Sequence, residues 1–240
     1  MRERLLLAWG RLHIGEVIRR RAVIRAVSSF VRPGVRILDA GCGRGDLAIT
    51  FADRFPTITV DAVDIDPERV ALVTRRIADA RHSNCTIAQC DLAALDADGR
   101  YGIVYSVDVF EHLLDPLAVL KRIARALTPR GILVLHVPAT PQQRWFRTFA
   151  HYDQHDHVRE GFSVDTMTGL LGSAELTVVQ TQHTFGPPGA LAWECFHLAQ
   201  RVGKWMALLT YPIVRLLAMI DGWMKWKRGN GLLVIAQRIS

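Results

Sequence analysis

The chain has 240 residues, half of them hydrophobic and 22% charged, a composition that builds one substantial core and excludes a disordered or fibrous protein. The formal charge of +7 is unevenly spread: residues 1–36 carry nine arginines against two acids and residues 186–230 carry six Lys/Arg against two acids, while 37–185 is net acidic. Two basic flanks around an acidic centre suit contact with phosphate, an anionic membrane surface or an acidic substrate better than with a long nucleic acid.

The four cysteines, Cys42, Cys85, Cys90 and Cys195, form no C-x-x-C pair and no disulfide or zinc spacing, so a reducing cytoplasmic setting is expected. Arginines interrupt the apolar residues at the start, which therefore lacks the layout of an export signal. The most apolar later run, Trp205 to Ile220, is 16 residues long and contains Pro212 and Arg215, too short and too interrupted to span a bilayer.

In chain order, Leu5 to Phe30 has apolar residues near helical spacing with arginines between them, and Arg32-Pro33-Gly34 closes the segment. We expect residues 1–34 to be an N-terminal amphipathic helical segment preceding a domain over 35–240. Val35 to Ala40 predicts a strand that stops at a glycine cluster, and Asp46 to Phe55 predicts the helix after it. Thr57 to Asp64 predicts a second strand, followed by a helix from Glu68 to Arg81 opened by Pro67.

Cys85–Gln89, Gly102–Val107 and Gly131–Val137 predict three further strands, with a helix at Leu117–Leu127 before the last. Residues 138–162 break the rhythm with prolines, aromatics and histidines, and Ser163 to Ser173 predicts a capped helix. Leu176–Phe185 and Leu232–Arg238 complete seven strands, separated by a helical insertion over 186–230 rich in Trp, Lys and Arg. Strands alternating with helices imply an α/β fold, a doubly wound, mostly parallel seven-stranded sheet.

Leu38-Asp39-Ala40-Gly41-Cys42-Gly43-Arg44-Gly45 places a glycine-rich turn between an apolar strand and a helix, where backbone N–H groups are free for a ligand. Its G-x-G-x-G spacing departs from the G-x-G-x-x-G of dinucleotide-binding sheets. The chain here resembles the class I S-adenosylmethionine-dependent methyltransferases, whose first motif reads hydrophobic-D-x-G-x-G-x-G.

The resemblance covers roughly residues 35–185. Val63-Asp64-Ile65-Asp66 is similar to the acidic end of that family's second strand, which implies that Asp64 holds the cofactor ribose beside Ile65. Gln89-Cys90-Asp91-Leu92 resembles the third motif, with Asp91 on the adenine amino group, and Val104 to Asp108 with Glu111-His112-Leu113 resembles the fourth. The implied cofactor is S-adenosylmethionine, held by Asp39, Gly41, Cys42, Gly43 and Gly45, then Asp64, Ile65, Asp91 and Leu92, with Ser106 on the fourth strand.

His112 is a candidate base, because imidazole titrates near neutrality and the resemblance puts it beside the methyl-donor pocket. Asp108-x-x-Glu111-His112 also resembles the E-x-x-E-H metal pattern of ubiquinone-pathway O-methyltransferases, with Asp for the first Glu, which would imply magnesium. The run His151 to Arg159 offers either a transition-metal site or, as favoured here, substrate positioning by His157 and Arg159.

The reading is a methyltransferase acting on a small or amphiphilic, lipid-like acceptor, at oxygen in the first instance, as a monomer or homodimer. The N-terminal helix and the 186–230 insertion are expected to cap the acceptor pocket and touch a membrane surface or a lipid-like substrate. A nucleic-acid methyltransferase, an NAD(P)-dependent oxidoreductase and a noncatalytic cofactor-binding subunit remain the alternatives; no N-P-P-Y-type motif favours the first.

Overall fold

The structure is a computed structural model that describes residues 13–149 and 157–239. The predicted helical start before residue 13, with Trp9, and the stretch from His151 to Asp156 lie outside the described residues.

Helix α1 (Ile14–Ser28) leads into β1 (Arg36–Ala40), α2 (Asp46–Arg54), β2 (Thr59–Asp64) and α3 (Pro67–Ala80). Then come β3 (Cys85–Gln89), β4 (Tyr101–Val107), α4 (Pro116–Ala126) and β5 (Leu127–Pro138). The chain finishes with α5 (Val164–Ser173), β6 (Leu176–Thr184), α6 (Pro187–Val202), α7 (Lys204–Asp221) and β7 (Gly231–Arg238).

The seven strands form one sheet in the order β3-β2-β1-β4-β5-β7-β6, parallel except for β7, which runs antiparallel to both β5 and β6. Alternate strand residues serve opposite faces. Leu38, Val104 and Leu133 pack under α4 and α5, whereas Ile37, Ile103 and Ile132 pack under α1 and α2. A third apolar cluster joins Ile14 and Ile18 of α1 to Phe196 of α6 and Val214 of α7, so the insertion is two helices clasped to the first one.

Caps match local chemistry. Asp66, Asp115 and Ser163 accept from backbone N–H groups at the starts of α3, α4 and α5. One element is longer than expected: β5 begins at Leu127 rather than Gly131, because Leu127 pairs with Tyr101 of β4 before a bulge.

The amphipathic reading of the first helix needs correction. Its arginines divide between two sides: Arg19 reaches Asp108, whereas Arg20, Arg21 and Arg25 line a hollow between this helix and α7, where Arg20 reaches Thr50 and Arg21 reaches the Met219 carbonyl. The helix is wedged between the sheet and the insertion, and each arginine finds a different neighbour.

Strand order reverses between β1 and β4, and the crevice at their carboxyl ends is where an open α/β sheet receives a ligand.

Candidate functional site

At that crevice Gly41 and Cys42 donate their N–H groups to the Val63 carbonyl at 3.0 and 2.9 Å, which folds the β1–α2 turn over the end of β2. The Gly43 N–H donates to Asp64 Oδ2 at 2.7 Å, and the Asp66 N–H donates to Asp64 Oδ1 at 3.0 Å. Asp64, almost fully buried, thus ties the glycine turn to the head of α3. Gly43 has φ +55°, and a Cβ there would meet nothing within 4 Å, so its backbone faces open space.

That space is a cavity of about 840 Å³. Asp39, Gly41, Cys42, Gly43, Asp64 and Ile65 line one part of it, and Asp91, Leu92 and His112 line another. These are the residues expected from the sequence.

Two expected residues sit elsewhere. Gly45 is the left-handed N-cap of α2, packed on Val73 of α3, and is not among the cavity-lining residues. Ser106 is buried and donates from Oγ to the Ala40 carbonyl at 2.7 Å, tying β4 to β1 behind the cavity wall.

Asp39 is buried under the turn and accepts from the Tyr105 hydroxyl at 2.8 Å. Burial, reinforced by the charge of Asp64, pushes its carboxyl up to about 7 against the opposing hydrogen bonds from Tyr105 and the Ala48 amide. Burial together with Asp39 and Asp64 also raises the Cys42 thiol, which stays protonated.

A second cavity of about 300 Å³ adjoins the first, sharing Arg19, Asp108 and His112 as lining residues. His136, His157, Gln142, Arg144, Phe185 and Trp193 line the rest of it. Arg144 lies over the Trp193 ring at 5.1 Å, so one wall comes from α6 of the insertion.

Asp108 adopts a left-handed φ of +50°, a strained state for a residue with a Cβ and one concentrated at functional positions. Its carboxylate meets Arg19 Nη1 at 2.6 Å and His136 Nδ1 at 2.8 Å, and His136 Nε2 lies 2.9 Å from Thr184 Oγ1. Burial would raise this carboxyl, but Arg19 and then His136 overcome it and hold it down at about 2. Glu111 is buried beside it, with Oε2 lacking a hydrogen-bond partner among the described residues. Burial, then the charge of Asp108, pushes Glu111 up to about 8.

The metal set suggested by the sequence does not assemble. Asp108 is engaged by Arg19 and His136; among the described residues the potential ligand atoms that converge, within 4.8 Å of one another, belong to Glu111, His112 and His157. Two imidazoles and one carboxylate are not the oxygen-rich set that magnesium prefers.

Arg159 is also corrected. Its guanidinium donates to the Phe110 and Leu113 carbonyls at 2.7 and 2.6 Å and lies over the Phe162 ring, so it pins the turn that carries His112 and touches neither cavity. His157 does reach the second cavity, where its ring meets His112 edge-on at 4.7 Å.

Sequence reasoning missed Arg19, His136, Thr184 and Glu194. Glu194 is fully buried on α6 and accepts from the Trp145 and Phe146 N–H groups, fixing the irregular segment above the sheet. A lone Glu in an apolar helix was the available sign, but its partners lie 48 and 49 residues away.

A family profile described as a methyltransferase domain matches residues 15–181. The ubiquinone biosynthesis O-methyltransferase of Rhodopseudomonas palustris (strain HaA2) is 32% identical over 118 residues, 49% of this chain and 44% of that protein. The matched stretch is thus less than half of that relative. The trans-aconitate 2-methyltransferase of Deinococcus radiodurans is 27% identical over 215 residues, 87% of this chain and 74% of that protein. Among solved structures, phosphoethanolamine N-methyltransferase 2 of Haemonchus contortus, in complex with S-adenosyl-L-methionine, superposes with a TM-score of 0.69 at 18% identity, covering 92% of this chain and 52% of the other.

Proposed function

The chain belongs to the methyltransferase domain family, among the class I S-adenosylmethionine-dependent methyltransferases, and from that premise we propose that it methylates a small or amphiphilic acceptor, at oxygen in the first instance. The observation that carries this reading is the pair of cavities meeting at His112.

The residues of the larger cavity fit the cofactor. Gly43 leaves a cradle with no Cβ, Asp64 and Asp91 place carboxylates at separate positions for a diol and an amino group, and Ile65 and Leu92 offer apolar surface to a base. When bound, the cofactor supplies a methyl group on a positively charged sulfur.

What remains for the protein is to position a nucleophile and exclude water. The second cavity holds the acceptor against Trp193 and Phe185, with Arg144 and Gln142 to orient its polar end. His112, at the junction, takes the proton from an acceptor hydroxyl, and His157 orients the His112 ring from its edge. Arg159 keeps the His112 turn in place through its carbonyls. Because the converging donors do not suit magnesium, no step uses that ion.

Helices α1 and α6 act as the cap. Arg19 and Trp193 from these helices flank the acceptor side, which makes water exclusion a property of the two helices rather than of the sheet.

The names of the relatives support an oxygen acceptor for one and different acceptors overall, so the acceptor has to be found directly. Incubating a cell extract with the protein and methyl-labelled S-adenosylmethionine, followed by mass spectrometry, should show one labelled small molecule. His112→Ala should slow that labelling by roughly 10²–10⁴-fold with cofactor affinity retained. Labelling at the native rate by this variant would remove His112 as the base, and unchanged cofactor affinity in Asp64→Asn would remove the cofactor site.

A further inference from the structure

Helix α7 carries its apolar residues in the reverse of the usual arrangement for a surface helix. The small residues Ala207, Val214 and Ala218 are buried, whereas Trp205, Leu209 and Ile213 are 84, 74 and 66% exposed. At about 100° per residue, Trp205, Leu208, Leu209, Ile213 and Leu216 form one stripe opposite the buried one. Trp223 and Met224 extend it past the helix end. Monomeric soluble proteins rarely leave so continuous an apolar surface uncovered.

Beside the stripe lies a cavity of about 630 Å³ between α1 and α7, lined by Arg20, Arg21, Arg25, Arg54, Arg215 and Met219. The partners of these arginines are neutral. Arg21 donates to the Met219 carbonyl at 3.4 Å, Arg25 to the Gly222 carbonyl at 2.8 Å and Arg215 to the Tyr211 hydroxyl at 3.4 Å, while Arg20 donates to Thr50. Glu16, the acid on the rim, faces Arg19 at 3.7 Å, and among the described residues no carboxylate pairs with the five. Guanidinium groups gathered this way call for an anion with several oxygens.

Arg21 also lies 5.9 Å from the Trp223 ring, so the basic cavity and the apolar stripe share an edge. Lys204 and Lys225, both exposed, flank the stripe at its two ends. No described helix is long and apolar enough to cross a membrane. An isologous contact through this face would bring two arginine-lined surfaces together, which disfavours a second copy as the occupant.

We infer that α7 lies in the plane of a lipid bilayer, its apolar stripe at the boundary between headgroups and acyl chains, and that the arginine-lined cavity takes the phosphate of an anionic phospholipid. This concerns where the protein docks and stands whether or not the methyl acceptor is itself lipid-like.

The test is sedimentation of the full chain with phosphatidylcholine vesicles, with and without phosphatidylglycerol. The native protein should bind the anionic vesicles about tenfold more tightly, a preference that high salt removes. Trp205→Ser with Leu209→Ser should weaken binding to both vesicle types, and Arg21→Gln with Arg215→Gln should remove only the anionic preference. Retained cofactor affinity in both variants establishes that they are folded. Equal binding to the two vesicle types, vesicle binding untouched by either variant, or saturation by inorganic phosphate without vesicle binding would overturn the inference. So would a dimer that disperses in the Trp205→Ser, Leu209→Ser variant without any vesicle binding.

Discussion

Glu111 and Asp108 face the same junction between the cavities and titrate in opposite directions. Asp108 has Arg19 against it; Glu111 has burial and the Asp108 charge, with Arg19 and Arg159 only partly compensating. The folded state therefore favours the protonated Glu111 carboxyl. Since its folded value, about 8, lies above the ordinary 4.5, its contribution to stability is full below 4.5 and is lost as pH rises toward 8. Glu111→Gln keeps the shape without the titration, so its thermal stability should fall less than the native protein's across that window. Parallel melting curves against pH would show that the group is not held protonated.

The legible and illegible residues differ in kind. Asp39, Asp64 and Asp91 are expected at the cavity because each lies at or just past the carboxyl end of a strand in a recognisable local pattern, and all three line it. The placement of Arg159 was not legible because its partners, Phe110 and Leu113, are 49 and 46 residues away, and only folding shows that its Nη1 group is engaged by their carbonyls.

Among the elements, the β1–α2 unit is closely packed at the glycine that opens its helix. Gly45 has φ +71°, and a Cβ there would lie 2.9 Å from both Val73 methyl groups on α3. Gly45→Ala should cost about 1–3 kcal/mol through left-handed strain and overpacking, and should weaken cofactor binding by tilting the turn. Chemical denaturation would check it, and native-like stability with native-like affinity would contradict the packing argument.

Strands were legible to within a few residues because a buried parallel strand is a short apolar run bounded by turn residues. The N-terminal start of β5 was not, because Leu127 enters the strand by pairing with Tyr101 of β4, a partner that local sequence does not specify. The helices of the insertion and a membrane-facing surface on them were expected, but not that α7 would be the helix that turns its large residues outward.

At the scale of the whole molecule, the Arg19–Asp108 pair joins the first described helix to the end of β4. Both side chains are about a quarter exposed, so solvent screens part of their interaction, and Arg19→Ala should cost about 1–3 kcal/mol rather than the full penalty of a buried pair. Asp108 sits at about 2 in the folded state, below the ordinary 3.8, so its contribution is present above 3.8 and lost as pH falls toward 2. Without Arg19 its folded value moves upward, and acid unfolding should begin at a higher pH; an unchanged acid midpoint would show that His136 suffices alone.

What the sequence by itself determined is the alternation of strands and helices, the glycine turn and the acids beside it. These are written in contiguous residues whose spacing obeys backbone geometry. Only the tertiary structure decided which residues of α1, α6 and the ends of β4 and β5 would line the second cavity, that Arg159 would serve the backbone, and that α7 would be the helix with an apolar stripe beside an arginine-lined hollow. Each of those depends on segments far apart in the chain meeting in space, and no local period encodes which of them will meet.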